Sequence, residues 1–302
     1  MSEVLLKAAA FILIILFSFV LKKIGILRAE DLPVFSKLVV KITLPAAIVS
    51  NCSKITMEPS MLVIVALGLL CSGFYVAVGY GLFFNGTREE KAFGLLNVSG
   101  YNIGCFTMPF IQNFLGPAGV AATSLFDAGN AMICTGTSYA IAVAVSGKGQ
   151  VKGPAQMVKQ LFSSVPFDCY IIMTVLALFH LKLPALVTSF AETIGNANTF
   201  LSLFMIGLGL EIHVSKKQVS AISRLLLARY AVAFVLSFLL YMFAPFGDEV
   251  RRALAILMFG PVSSLGVAYT SMIDGDVNQA SSFNSLSILI SIACLTASIL
   301  IL

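Results

Sequence analysis

The chain has 302 residues, of which 59% are hydrophobic and only 11% charged, with a formal net charge of +5. A soluble domain carries about 45–50% apolar and about 25% charged residues, so a water-soluble fold of this size could not hide the excess. The apolar runs are long and continuous rather than alternating, which excludes a membrane β-barrel and predicts an all-α, polytopic membrane protein.

At about 20 apolar residues per span, the pattern predicts ten transmembrane helices. Helix 1 covers residues 4–21. No A-x-A-like cleavage site follows it, and the basic pair Lys22-Lys23 comes after the run, so it is read as a retained helix rather than a signal peptide. Helix 2 (31–50) carries Lys37, Lys41 and Pro45. Helices 3 (61–84), 4 (90–114) and 5 (116–145) complete a first repeat, 1–145. A polar linker, 146–163, contains Gly147, Gly149, Gly153 and Pro154. Helices 6 (164–181), 7 (190–210), 8 (223–243), 9 (250–273) and 10 (277–301) form a second repeat, 164–302.

Five helices is an odd number, so the second repeat must enter the membrane from the opposite side. Internal similarity is weak. Asp127 and Asn284 lie 157 positions apart, as do Pro109 and Gly266, whereas Lys91-Ala92 and Arg252-Ala253 lie 161 apart. The two offsets differ by about one helical turn, and both stay open. The loops after helices 1, 3, 5 and 7 carry eleven lysines and arginines: Lys22, Lys23, Arg28, Arg88, Lys91, Lys148, Lys152, Lys159, Lys216, Lys217 and Arg224. The other side carries Lys7, Lys54, Lys182, Arg251 and Arg252. This bias predicts a cell-membrane protein with both termini extracytoplasmic and the linker in the cytoplasm.

Helices 4 and 9 are interrupted in the same way. Gly100, Gly104 and Pro109 break the first; Gly260, Pro261 and Gly266 break the second. Lipid cannot hydrogen-bond free backbone groups, so unwound chain at membrane depth must border a buried or wet cavity. Paired interruptions of this kind point to the substrate site of a secondary transporter. Asn97, Tyr101 and Asn102 sit at the first break, Ser263 and Ser264 at the second. Their amides and hydroxyls can hold a carboxylate, and half-helix N-termini favour anions. The alternative is that they only satisfy nearby backbone.

Asp127 lies well inside helix 5, with Asn130 three residues on and so on the same face. An intramembrane carboxylate is read first as functional, here as a proton-coupling or polar-network group, and otherwise as a helix-packing hydrogen bond. Lys41 falls about ten residues into helix 2. It either pairs with Asp127, attracts an anion, or reaches a cavity edge. No cofactor or metal is expected: the six cysteines are scattered, and the two histidines, His180 and His213, fall near helix ends. No basic block suggests nucleic acid. Neither an ATP-binding motif nor a hydrolase constellation occurs, so no enzyme activity is expected.

The chain resembles the auxin efflux carrier family, which includes the plant PIN exporters and many bacterial carriers. The resemblance rests on KITLPA in helix 2, NIGCFTMP in helix 4, FDAGN in helix 5 and FGPVSSLGVAY in helix 9. It implies two inverted five-helix repeats whose helices 4 and 9 cross at their unwound centres. It implies a scaffold of helices 1, 2, 6 and 7, a mobile transport domain of helices 3–5 and 8–10, export of small organic anions, and a homodimer. Asn102 would be the substrate contact, Pro109 the crossover proline, and Asp127 a polar position of helix 5. Two departures stand out. Gly266 occupies the place of a second proline that the PIN exporters tend to have, and their long cytoplasmic loop is missing, so auxin itself is not favoured. A sodium-coupled organic-anion symporter of the bile-acid type is the nearest alternative, so the coupling ion, where there is one, is H+ or Na+.

Overall fold

A computed structural model describes residues 2–54, 59–150, 153–211 and 216–302; Lys152 and His213 lie outside the described residues. No strand occurs among the described residues. Helix α1 (Ser2–Lys23) is unbroken. Helices α2 (Leu32–Leu38) and α3 (Leu44–Cys52) run on through a π turn at Val39–Thr43, immediately before Pro45. Helix α4 (Val63–Leu82) is continuous. Helix α5 (Arg88–Asn97) stops short, and the chain resumes as a π turn, Ile103–Thr107, and helix α6 (Met108–Phe114). Helix α7 (Pro117–Met132) continues through another π turn, Ile133–Thr137, into α8 (Ser138–Ser146).

The linker contains a short helix, α9 (Pro154–Leu161), where the sequence suggested only a polar connection. Its first residue is a proline, whose fixed φ and missing N–H suit a helix start. Helix α10 (Val165–Leu178) follows; α11 (Ala185–Gly195) and α12 (Ala197–Gly209) meet at a bend at Asn196. Helix α13 (Lys216–Phe243) begins seven residues before the expected start of helix 8. Then come α14 (Asp248–Leu257), α15 (Leu265–Met272) and α16 (Val277–Ile301).

Six stretches are long and apolar enough to cross a membrane: Leu5–Lys23, Ala29–Cys52, Ser60–Leu82, Pro117–Ser146, Gln218–Phe243 and Val277–Ile301. The other expected helices are shorter or divided, because Gly100 and Gly260 sit where the backbone leaves the helix and Asn196 bends the chain. Helix starts follow local chemistry. Thr87 accepts from the Glu90 N–H while Glu90 accepts from the Thr87 N–H, a reciprocal cap that opens α5. Asp276 caps α16 through the Gln279 N–H.

Small residues let backbones touch. A Cβ on Gly68 of α4 would meet the Phe126 carbonyl, and one on Gly129 of α7 would meet the Val65 carbonyl. Such close approach substitutes for the hydrophobic drive that lipid removes. The bounds of the elements also carry a repeat. Helices α5 and α14 start at residues 88 and 248 and end at 97 and 257, while α7 and α16 start at 117 and 277. Each pair is 160 residues apart, a step that also pairs Gly100 with Gly260 and lies one residue from the 161 offset.

Candidate functional site

The two breaks lie against each other. The Asn102 N–H donates to the Pro261 carbonyl at 2.9 Å. The Asn97 amide donates to Thr270 Oγ1 at 2.9 Å and so ties the end of α5 to α15. A Cβ on Gly266 would lie 2.8 Å from the Leu96 carbonyl, and one on Gly260 would lie 2.6 Å from Thr107 Oγ1. Both glycines therefore sit where one break packs against the other, with no room for a side chain. Gly100 has φ +68°, a left-handed turn that a glycine adopts without strain, and this turns the chain out of α5.

Beside the crossing is a cavity of about 410 Å³, within the size range of small-ligand sites. It is walled by both breaks (Tyr101, Asn102, Gly104, Ser263, Ser264), by α7 and by the face of α2 and α3 that carries Ser36, Val40 and Leu44. It reaches Ser164 and Pro166, next to the linker. All three π turns contribute lining residues, Val40, Cys105 and Cys134 among them; such turns recur at functional sites because the extra residue bends side chains and carbonyls out of register. The helical stretches that begin at Ile103 and Leu265 present their N-terminal ends to this space. Each such end carries roughly half a positive charge.

Asn130 organises the first break. Its Nδ2 donates to the Tyr101 carbonyl and to Asp127 Oδ1, both at 3.0 Å. Its Oδ1 accepts from the Tyr101 N–H at 3.0 Å, Ser72 Oγ at 2.9 Å and Cys134 Sγ at 3.2 Å. Asp127 is half-buried at the cavity wall and takes a second hydrogen bond from the Tyr170 hydroxyl at 3.0 Å. The Asn102 side chain has no hydrogen-bond partner among the described residues and lies at the cavity wall.

A family model described as a membrane transport protein matches residues 4–161, more than half of the chain. The chain belongs to this membrane transport family. It is the family to which the auxin efflux carrier resemblance pointed. No curated protein matches the chain.

Within this membrane transport protein the expected site residues separate into two groups. Tyr101, Asn102, Gly104, Asp127, Asn130, Ser263 and Ser264 all border the cavity. Asn97, Gly100, Pro109, Gly260, Pro261 and Gly266 are buried in the crossing and its supports. Lys41 belongs to neither. Its side chain is exposed, one residue around the helix from the cavity-lining Val40, and it makes no ion pair with Asp127.

Three residues were not read from the sequence as site residues. Tyr170 of α10 supplies the second hydrogen bond to Asp127. Asn284 of α16 lines the cavity, and its side-chain Oδ1 is buried without a hydrogen-bond partner among the described residues. Arg229 of α13 is fully buried and donates to Val98 O at 2.6 Å, Gly100 O at 2.9 Å and Gly260 O at 3.2 Å. The rule that flagged Asp127, an ionisable residue inside an apolar span, applies equally to Arg229 and would have found it.

Proposed function

We propose that this membrane transport protein is a secondary carrier that exports small organic anions across the cell membrane by elevator-type alternating access, as a bacterial relative of the PIN exporters. The observation that carries the reading is the polarity of the crossing. The N-terminal ends of both resumed helices face a cavity with the unpartnered Asn102 amide, and the carbonyl ends are occupied elsewhere by Arg229. A carboxylate fits the first environment, where dipole ends and amide donors converge.

The 160-residue step between α5 and α14, and between α7 and α16, supports ten helices arranged as two inverted repeats. In that arrangement helices 1, 2, 6 and 7 are the scaffold and both termini are extracytoplasmic. The exposed face of α2 and α3, with Lys41, is then available to lipid or to a second copy in a homodimer. Asp127 is the group through which a proton would couple.

Counterflow in proteoliposomes with labelled mono- and dicarboxylates, run beside Asn102→Ala, tests the reading. Saturable exchange of one acid that is weakened in the variant is the expected result. Folded wild-type protein that exchanges none of the acids overturns it. The alternative, a sodium-coupled organic-anion symporter, predicts instead that exchange stops when sodium is replaced by choline.

A further inference from the structure

We propose that Arg229 is the resident cation of the crossing, a positioning residue that fills the carbonyl cage in which a cation-coupled carrier would hold a metal ion. The inference deepens the carrier reading and rests on it for what the cavity moves.

The charge balance supports this assignment. Arg229 bonds carbonyls just past the ends of α5 (Val98, Gly100) and α14 (Gly260). A helix C-terminus carries roughly half a negative charge, so two ends together match about one positive charge. The guanidinium supplies that charge. It bonds two carbonyls of the first break and one of the second, which a compact ammonium could not span. It sits over two rings that meet edge to face, Tyr75 at 4.4 Å to the ring centroid and Tyr101 at 5.0 Å. Both rings present the electron-rich face that favours a cation. No carboxylate among the described residues pairs with Arg229, so the helix ends and the rings are its counter-charges.

Position matters as well. Arg229 lies near the middle of the apolar stretch Gln218–Phe243. No lipid group there can satisfy free carbonyls. The Tyr75 hydroxyl donates to the carbonyl of Arg229 itself at 3.1 Å, which ties α4 to the same point. The cage therefore draws together α4, α13 and both breaks around one fixed charge. Free carbonyls of broken helices are what sodium-coupled carriers use to bind their ion. With those carbonyls occupied by the chain's own side chain, the crossing assembles without sodium.

Chemical replacement tests this. Wild type is expected to exchange substrate equally in sodium and in choline. Arg229→Ala should lose at least about tenfold in exchange rate, since three charge-assisted hydrogen bonds go with it. Free guanidinium, on the order of 10 mM, should restore several-fold by occupying the vacated cage. The same guanidinium should raise the thermal midpoint of purified Arg229→Ala by roughly 3 °C or more and leave that of the wild type unraised. The midpoint needs no transported acid, so it reports on the cage even where the carrier reading fails.

Sodium-dependent exchange by the wild type overturns the proposal. So does Arg229→Met protein that melts and exchanges like wild type, or folded Arg229→Ala that responds to guanidinium in neither assay. Where Arg229→Ala yields no folded protein, Arg229→Lys decides. A lower midpoint and slower exchange support a cage built for a fork, and wild-type behaviour in both overturns it.

Discussion

In the first break an asparagine pairs the unwound chain at its centre: Asn130 bonds both backbone groups of Tyr101 and reaches Asp127, Ser72 and Cys134 besides. Among the described residues the second break has no such partner. Pro261 has no N–H to satisfy, the Val262 N–H reaches Ser287 Oγ at 3.3 Å, and the Pro261 carbonyl is taken by the Asn102 N–H of the first break. The two breaks are thus held differently: in the first an amide of the same repeat pairs both backbone groups of one residue, in the second a hydroxyl takes a single N–H, and Arg229 bonds carbonyls of both. Polar chemistry concentrates accordingly: the free Asn102 amide and Asp127 belong to the first repeat.

This asymmetry can be broken experimentally, and the largest effect is expected at Asn130. Asn130→Ala strands a buried N–H and a buried carbonyl and should cost about 3–5 kcal/mol. Thermal unfolding in detergent measures it, and an unchanged midpoint would mean that the first break holds itself. The two glycines come next. Gly100→Ala meets both a left-handed φ and the Cys134 sulfur, and should cost about 2–4 kcal/mol. Gly260→Ala meets only Thr107 Oγ1 and the Leu257 carbonyl without an unusual φ, and should cost about 1–2 kcal/mol. Equal losses would count against the difference between the breaks.

Ser287→Ala removes one long hydrogen bond from the second break and should cost about 1 kcal/mol. Asp127→Asn is the mildest for stability, about 1 kcal/mol or less, because an amide can still meet Asn130 and Tyr170. Its signature lies in transport, where exchange measured across a pH series should lose its pH dependence. A pH profile identical to that of wild type would remove Asp127 from coupling.

The interruptions were legible in the sequence because glycine, proline and asparagine inside an apolar run have few other uses. That reading placed the interruptions at Gly100, Gly104 and Pro109 and at Gly260, Pro261 and Gly266; the chain leaves the helix at 98–102 and 258–264, and Gly104, Pro109 and Gly266 fall just after it, in the resumed helical stretches. It also singled out Asn102, Asp127 and Asn130, which border one cavity. Arg229 could be flagged by its place in an apolar span, but its partners could not. Its partners lie 131, 129 and 31 positions away and are backbone carbonyls, exposed only because two helices stop. Lys41 failed for the opposite reason. Depth along a helix can be counted from sequence, but the face cannot be fixed across a π turn, and Val40 and Leu44 hold the cavity side. Asn97 looked like a ligand-binding amide, yet Thr270 and the Phe93 carbonyl occupy its donors.

The guanidinium at the crossing also has an electrical consequence. Arg229 and an ionised Asp127 carry opposite unit charges close to the same crossing. A unit that moves both through the membrane field does little electrical work when empty. With one monovalent anion aboard, the same movement is worth about 2.3 kcal/mol per 100 mV. On the proposed cycle, voltage therefore acts on the loaded step and spares the empty return, so a negative interior drives the anion outward without a co-transported metal ion.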